Sequence, residues 1–399
     1  GLQSIVDVED AVRLEIRHAA HNVLLSQIVD LSGRPPEAVW TVDGDEVAIR
    51  LDSIRRLDAV FERLTAAGVN NTIILLNAVP TEPAPENPLI HPKTDLKRAP
   101  NHLGAFNLAT QRGARSFRAA LEFLANRYSD PAGEHGWVSG YIIGNEVQAH
   151  WSWYNLGRAD ANDVVADYAL ALRTAHAAVR KFHPQTRVYV SMDHHWTARP
   201  DSDPAKSLAG KDLLDRLNAL VKSQGDFEWH VAFHPYPENL FNPRTWDDEQ
   251  ATLDENTPKI TFKNLEVLAA YLRRPEMRFE GRPRRIILSE QGFHTPEGPE
   301  GEELQAAAFA YAYYRALHLE GIDAFILHRH VDHRDEWGLR LGIWTRKPDS
   351  ATTPDRKKRL YEVFQAADSA HWRSAFEFAR PIIGIERWEE LLPPEAVRR

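Results

Sequence analysis

The feature that most constrains the fold is a regular alternation of short apolar segments with helix-length amphipathic segments along the 399 residues. Strands that alternate with helices form parallel βαβ units. Eight such units favour a closed (β/α)8 barrel, the TIM barrel of the α/β class, over an open sheet. The eight segments with the pattern of strands are Leu2–Val6, Ile16–Leu25, Thr72–Leu76, Val138–Ile143, Arg187–Met192, Trp229–Phe233, Arg285–Ser289 and Asp323–Leu327.

The segments between these strands predict the rest of a single domain over residues 1–399. Helices are predicted over Ser116–Tyr128 and Asp163–Phe182, and Val42-Asp-Gly-Asp45 predicts a hairpin turn. Residues 78–105 contain six prolines and no periodicity, which is typical of a functional or mobile loop. From about residue 370 we expect a C-terminal extension with an amphipathic segment and a proline-containing end.

Composition excludes several classes of function. The net charge of −9 argues against a nucleic-acid backbone as partner. The chain has no cysteine, so disulfides, thiolate nucleophiles and cysteine-bound metals are excluded. No apolar run approaches the ~18 residues of a membrane span. We expect a secreted or periplasmic location if a leader has been removed from this chain.

Two of the predicted strands end on a glutamate. Strand four runs into Gly144, Asn145 and Glu146, and strand seven ends at Glu290. A buried carboxylate costs free energy unless it has partners, so a strand that ends in this way indicates a site. Barrel active sites lie at the carboxyl ends of the strands, where both glutamates are expected.

Further polar and aromatic side chains follow other strands of the predicted barrel, at the same end. We predict that they bind substrate together with the residue before the first glutamate. These candidates are Asn77, Asn145, Trp151, Asp193, His195, Trp196, His234, Tyr236, His328, Arg329 and Trp337.

The strand ends resemble those of clan A of the retaining glycoside hydrolases, in which strand four ends in Asn-Glu and strand seven in Glu. The His-x-Tyr after strand six is similar to that of the cellulase-like members. The chain also resembles the uncharacterised bacterial barrel families placed near this clan. The resemblance implies that Glu146 is the acid/base, Glu290 the nucleophile and Asn145 a ligand of the sugar 2-hydroxyl. It also implies that Tyr236 hydrogen-bonds Glu290 and that His234 lines the subsite.

The same chemistry follows from the residues alone. Glycoside cleavage requires one carboxylic acid to protonate the leaving oxygen and one carboxylate opposite it. Ile142 and Ile143 offer the apolar surroundings that keep the acid protonated. Tryptophan rings match the flat C–H faces of sugars. They follow strands four, five and eight, at Trp151, Trp153, Trp196, Trp337 and Trp344. We therefore predict a retaining glycosidase that acts on an oligo- or polysaccharide without a metal or cofactor.

Two alternatives remain open on the sequence. The chain has 18 histidines, and those near strand ends (His18, His21, His194, His195, His234, His328 and His330) suit a metal-dependent barrel hydrolase. A carbohydrate-binding barrel without catalysis is the second alternative. Arg329, Arg334 and Arg340 near the strand-eight end give a hint of an anionic sugar, because arginine pairs with carboxylates bidentately.

Overall fold

A computed structural model describes residues 1–392, and within them eight parallel strands form a closed barrel. The strands are β1 Leu2–Gln3, β2 His18–Leu24, β3 Asn70–Leu76, β4 Val138–Ile143, β5 Arg187–Asp193, β6 Trp229–His234, β7 Ile286–Gln291 and β8 Ile322–Leu327. Each strand neighbours the strands before and after it in the chain, and β8 closes the barrel on β1. The predicted (β/α)8 fold is confirmed.

Helices follow the strands, and side-chain caps fix the starts of two of the long ones. Thr110 accepts a hydrogen bond from the backbone N–H of Gly113, and Asp160 accepts one from that of Asp163. The latter cap explains why a helix predicted from Asp163 begins at Ala161. The helices are Val8–Arg13, Leu25–Ile28, Leu51–Ala66, Gln111–Arg127, His150–Trp153, Ala161–Arg180, Gly210–Ser223, Glu266–Leu272, Gly301–Leu317, Arg359–Ala366, Trp372–Phe376 and Ala379–Ile383. Single 3-10 turns occupy Val147–Ala149, Thr245–Asp247, Pro275–Met277 and Trp388–Leu391.

Two small antiparallel pairs lie outside the barrel. Ala38–Val42 pairs with Asp45–Ile49, and Trp344–Arg346 pairs with Pro354–Lys357. In the first pair, the two turn residues Asp43 and Gly44 both have positive φ (53° and 88°). Asp-Gly with two positive φ angles suits a two-residue hairpin, so the predicted turn at Val42-Asp-Gly-Asp45 is confirmed.

The chain divides into two compact units, and the first, residues 20–232, is called the central unit. Its core includes β3, β4 and β5, with Ile73 opposite Tyr141 and Tyr141 opposite Val188. All three side chains are fully buried. Parallel strands covered on both faces are continuously apolar, which is why these segments lack the alternation of a half-exposed strand.

The second unit, residues 1–19 with the residues from 233 onward, is called the terminal unit. Here Leu2 of β1 lies opposite Leu327 of β8, and β8 pairs along β7. Phe325 of β8 contacts the ring of Phe262 with centroids 5.4 Å apart, and that of Phe309 with centroids 5.6 Å apart. Burial of large aromatic side chains of this kind dominates the stability of a core.

The C-terminal extension packs by aromatic contacts on the helix Gly301–Leu317. The ring of Tyr314 lies 5.8 Å from that of Trp372 and 5.1 Å from that of Trp388, between centroids. The predicted proline-containing end lies outside the described residues, and the extent of a single domain stays a prediction. Within residues 1–392, no helix combines the length and apolarity that crossing a bilayer requires.

Candidate active site

Glu146 stands on a tight left-handed turn directly after β4. Gly144 has φ 75° and Glu146 has φ 37°, a conformation that residues other than glycine adopt uncommonly. The backbone N–H of Glu146 donates to Ser191 Oγ on β5 over 2.9 Å, and the neighbouring Asn145 is buried. The strand below contributes the buried Ile143. The turn therefore fixes the position of a partly buried carboxylate at the end of the strand.

A polar cluster at the end of β5 supports this turn. Buried Asp193 accepts hydrogen bonds from the backbone N–H of His195 (2.7 Å), from His195 Nδ1 (2.9 Å) and from Gln148 Nε2. Burial acts to raise the pKa of Asp193, but the hydrogen bonds and charge of His195 outweigh it, so the pKa lies below its ordinary value. Gln148 lies on the 3-10 turn that begins after Glu146. Asp193 thus holds the segment that carries the predicted acid.

The same cluster is the part of the central unit with metal-ligand chemistry. Ligand atoms of Asp193, His194 and His195 lie within 4.8 Å of one another, and the two imidazoles stack with centroids 4.4 Å apart. Histidine nitrogens and a carboxylate are zinc donors by type. Both oxygens of Asp193, however, already accept hydrogen bonds from protein donors. The cluster is therefore better suited to positioning His195 and Gln148 than to coordinating an ion.

Asn77 at the end of β3 binds the long proline-containing loop. Its Nδ2 donates to the carbonyl oxygens of Leu89 and Ala105, each over 2.8 Å, and the side chain is buried. The loop after β3 is thereby attached to the barrel strand. The amide nitrogen of Asn77 thus has a structural role, and the contact of Asn77 with substrate stays a prediction.

The predicted aromatic contacts fall into two groups in the structure. Trp196 is fully buried, so its ring offers no surface to a sugar. The indole N–H of Trp344 is engaged within the protein, because Nε1 donates to Asp10 Oδ2 over 2.8 Å. Trp151 is partly exposed in the central unit, with the ammonium of Lys206 5.5 Å from its ring centroid. Trp337 is 70% exposed in the terminal unit.

Glu290 at the end of β7 is held by two hydrogen-bond donors from distant segments. Tyr236 Oη donates to Oε1 and Gln3 Nε2 donates to Oε2, each over 3.2 Å. Burial acts to raise the pKa of Glu290, but the charges of His234 and His328 and the two donors outweigh it. The pKa therefore lies below its ordinary value, and Glu290 is an ionised carboxylate at neutral pH. The contact between Tyr236 and Glu290 predicted from the resemblance is present.

His234 lies behind this carboxylate rather than on an open surface. The side chain is 1% exposed, and its Nε2 lies 3.1 Å from the hydroxyl of Ser289, the residue before Glu290. The imidazole therefore acts on Glu290 through its charge and through the strand that carries the carboxylate. The lining of a subsite by His234 stays a prediction.

His328 and Arg329 converge on Glu336, a residue of the loop after β8. His328 Nε2 lies 3.2 Å from Glu336 Oε1, and the Arg329 guanidinium forms an ion pair with Glu336 Oε2. Burial acts to raise the pKa of Glu336, but these two cations lower it to about 2. Arg329 is thus paired within the protein, which removes the motivation for assigning it to an anionic sugar. His330 is also internal, because it hydrogen-bonds Asp10 over 3.0 Å.

Four residues of these clusters were missed by reasoning from the sequence. Gln3 donates to Glu290, and Glu336 contacts His328. Ser191 accepts from the backbone N–H of Glu146, and Gln148 donates to Asp193. A polar Gln3 inside an apolar strand is one signal that points to such a role. The others lie on loops or within strands without a distinctive spacing.

A closed parallel barrel with polar side chains at the carboxyl ends of its strands defines the class as a (β/α)8 barrel. The family model described as "Family of unknown function (DUF5722)" matches residues 1–391, and the chain belongs to this family. A search of curated proteins found no match.

Several solved structures share the fold at low sequence identity. A family 39 glycoside hydrolase from Bacteroides cellulosilyticus is 15% identical, with 91% of this chain and 61% of that chain covered and a TM-score of 0.52. A hyperthermophilic beta-glucosidase from Pyrococcus furiosus is 13% identical, with 94% of this chain and 86% of that chain covered and a TM-score of 0.58. An exo-beta-1,4-mannosidase from an Opitutaceae bacterium is 14% identical, with 93% of this chain and 55% of that chain covered and a TM-score of 0.51.

These comparisons bear on the fold. The chain spans 61% of the first structure and 55% of the third, so it is similar to part of each. At 13–15% identity the likeness establishes a shared architecture. The resemblance to clan A glycosidases predicted from the strand ends is confirmed at that level.

Proposed function

We propose that the protein is a retaining glycoside hydrolase in which Glu290 is the nucleophile and Glu146 the acid/base. The observation that carries the proposal is the environment of Glu290. A carboxylate at a barrel strand end that accepts from two donors, Tyr236 and Gln3, is held ionised with both oxygens positioned. A nucleophile needs both properties.

The proposed reaction has two steps. In the first, an oxygen of Glu290 attacks the anomeric carbon, the bond to the leaving group breaks, and the leaving oxygen takes the proton of Glu146. In the second, the Glu146 carboxylate takes a proton from water, the water oxygen attacks the anomeric carbon, and the ester bond to Glu290 breaks. Two inversions give net retention. Active sites of (β/α)8 barrels lie at the carboxyl ends of the strands, and Glu146 and Glu290 each stand at such an end.

The position of Glu146 supports its role as acid/base. It lies on a turn fixed by Ser191 and by the cluster around Asp193, next to buried Asn145. A proton donor must keep one orientation through both steps. A rigid strand end positions its carboxyl group more precisely than a mobile loop does. We assign Asn145 to the sugar 2-hydroxyl, where hydrogen bonds strengthen in the transition state.

The proposed substrate is a β-linked oligo- or polysaccharide. The similar structures are named as beta-glucosidase and exo-beta-1,4-mannosidase, so gluco- and manno-configured β-glycosides are the first to be screened. Exposed Trp337 offers an apolar ring for a sugar face, and Trp151 in the other unit is partly exposed. Both are proposed to bind sugar units.

The test is a screen of aryl β-glycosides and oligosaccharides with three matched variants. We expect Glu290→Gln to lose activity on every substrate, since no nucleophile remains. Glu146→Gln should lose ~10²–10⁴-fold on oligosaccharides, as expected when acid assistance is removed. The loss should be smaller on nitrophenyl glycosides, whose leaving group needs no proton. Glu297→Gln changes a 93% exposed carboxylate after β7 and serves as the control.

Two results contradict this assignment. Activity of Glu290→Gln equal to that of Glu297→Gln excludes Glu290 as the nucleophile. A first-formed product of inverted anomeric configuration, observed by NMR during wild-type turnover, excludes double displacement. A carbohydrate-binding barrel without catalysis is indicated if calorimetry detects saccharide binding while no glycoside is cleaved.

Within the central unit, the cluster of Asp193 with His194 and His195 supports the metal-dependent alternative. It makes an opposite prediction. Activity that is abolished by a chelator, restored by Zn²⁺ and lost in His194→Ala supports metal-assisted hydrolysis. Full activity after dialysis against chelator supports the carboxylate mechanism.

A further inference from the structure

We propose that His328 is a positioning residue that donates hydrogen bonds from both ring nitrogens, to Glu336 and to the side-chain amide of Gln3, and thereby fixes Glu290 as a carboxylate. The inference starts from a chain of hydrogen bonds within the terminal unit. Glu336 Oε1, His328, Gln3 and Glu290 Oε2 are joined by three contacts of 3.2 Å each. The consequence for catalysis rests on the function proposed above, whereas the protonation state of His328 does not.

The donor and acceptor count determines the proton positions. Gln3 Nε2 donates to Glu290 Oε2, so the Gln3 Oε1 atom that faces His328 Nδ1 is an acceptor. On the other side, His328 Nε2 faces a carboxylate oxygen of Glu336. Both ring nitrogens of His328 therefore face acceptors. Both make hydrogen bonds only when each carries a proton, which is the imidazolium form.

The alternative arrangement has a different proton on Glu290. If the Gln3 amide turns over, its nitrogen can donate to a neutral His328, but its oxygen then faces Glu290. Two acceptors in contact repel unless Glu290 is protonated. The chain thus has two consistent states with the same number of protons: cationic His328 with ionised Glu290, or neutral His328 with protonated Glu290. The orientation of one amide couples the two groups.

The charges of the cluster favour the first state. Gln3 and His328 are 1% and 8% exposed, and the side chains of Arg329 and Glu336 are 13% and 17% exposed. With His328 protonated, two cations balance the carboxylates of Glu336 and Glu290. With His328 neutral and Glu290 ionised, one negative charge is left in a poorly hydrated site, which costs free energy.

Other titratable groups near the chain belong to three elements. His234 on β6 and Tyr236 after it act on Glu290, and Arg329 acts on Glu336. His333, Arg334 and Asp335 lie on the same loop as Glu336, and the nearby charges of that loop act on His333. The three hydrogen bonds that join Glu336, His328, Gln3 and Glu290 are made by those four side chains themselves. Substitution of Glu290 or of Glu336 therefore tests the coupling between His328 and Glu290 through Gln3.

The first experiment is ¹⁵N NMR of the full chain with labelled histidine, in which the His328 signals are assigned by their loss in His328→Gln. We expect both ring nitrogens of His328 to carry a proton in the wild type at about pH 8, because both face acceptors. Glu290→Gln and Glu336→Gln should each shift His328 to the neutral form at that pH. The control is Asp335→Asn, which removes a 67% exposed carboxylate from the same loop and should change nothing.

A neutral His328 in the wild type at about pH 8 overturns the proposal, and this measurement requires no variant other than the one used for assignment. Retention of the imidazolium in Glu290→Gln overturns the coupling through Gln3.

The second experiment compares pH profiles of kcat/KM. We expect His328→Gln to move the acid limb upward by about one unit, as expected when a nearby cation is removed. A fall in kcat at all pH values with an unmoved limb shows that His328 has only a structural role. If no glycoside is cleaved at all, the proposed function fails, but the NMR result still decides the protonation of His328.

Discussion

The substitution Tyr236→Phe tests whether the hydrogen bond from Tyr236 keeps the proposed nucleophile, Glu290, ionised. It removes one hydroxyl, which donates to Glu290 Oε1 over 3.2 Å, and leaves the donor Gln3 in place. A hydrogen bond to a charged group contributes ~1.5–3 kcal/mol. Because 3.2 Å is long for an O–H···O bond, whose usual length is ~2.7–2.8 Å, we take about 1.5 kcal/mol. That corresponds to about one pKa unit.

The sign of the effect follows from the direction of the existing shift. The pKa of Glu290 is lowered in the folded protein, so its contribution to stability is present above its unfolded pKa and is lost as the pH falls through the folded value. Loss of the Tyr236 donor raises the folded pKa by about one unit. The stability contribution shrinks, and the acid limb of kcat/KM, which reports an essential ionised carboxylate, moves upward by about one unit.

The assay is kcat/KM of an aryl glycoside across the acid range for the wild type, Tyr236→Phe and a matched control. The control is Tyr141→Phe, because Tyr141 is fully buried and its hydroxyl has no hydrogen-bond partner among residues 1–392. It removes the same group without removing a donor from Glu290. An unmoved limb in Tyr236→Phe, or an equal displacement in Tyr141→Phe, refutes the reasoning that the phenol sets the pKa of Glu290.

Three further predictions concern burial and exposure. Asp332→Asn removes the negative charge that lies 2.7 Å from the buried ammonium of Lys358, so urea denaturation should show a loss of ~3–5 kcal/mol; a loss near zero contradicts a desolvated ion pair. Trp196→Ala removes a fully buried ring and should cost ~3–5 kcal/mol by the same measurement, whereas near-neutral stability would contradict its burial. Trp337→Ala should change the free energy of unfolding by less than ~0.5 kcal/mol, because the ring is 70% exposed, yet weaken oligosaccharide binding in calorimetry; unchanged affinity removes Trp337 from the site.

The barrel and the positions of the two glutamates could be predicted from the sequence because both are local properties. An apolar run of five or six residues followed by a polar turn has the same pattern wherever it occurs, and eight repeats of strand and helix leave few topologies. Glu146 and Glu290 are visible because each is the first carboxylate after such a run.

The exposure of the tryptophans could not be predicted in this way. Trp196 and Trp337 both follow barrel strands and look alike in sequence, but the first is fully buried and the second is 70% exposed. The difference depends on which other segments cover each ring, and no local pattern carries that information. Asn77 is a similar case, because its amide nitrogen donates to carbonyl oxygens of the loop that follows.

What the sequence determined by itself is therefore the fold and the ends of its strands, whereas the tertiary structure decided which partners those ends have. Gln3 reaches Glu290 across 287 residues, and Trp344 reaches Asp10 across 334. His328 and Arg329, which suggested an anionic ligand, are instead paired with Glu336. The free energy of a charged side chain is set by its burial and its partners, and both are properties of the packed chain rather than of its local order.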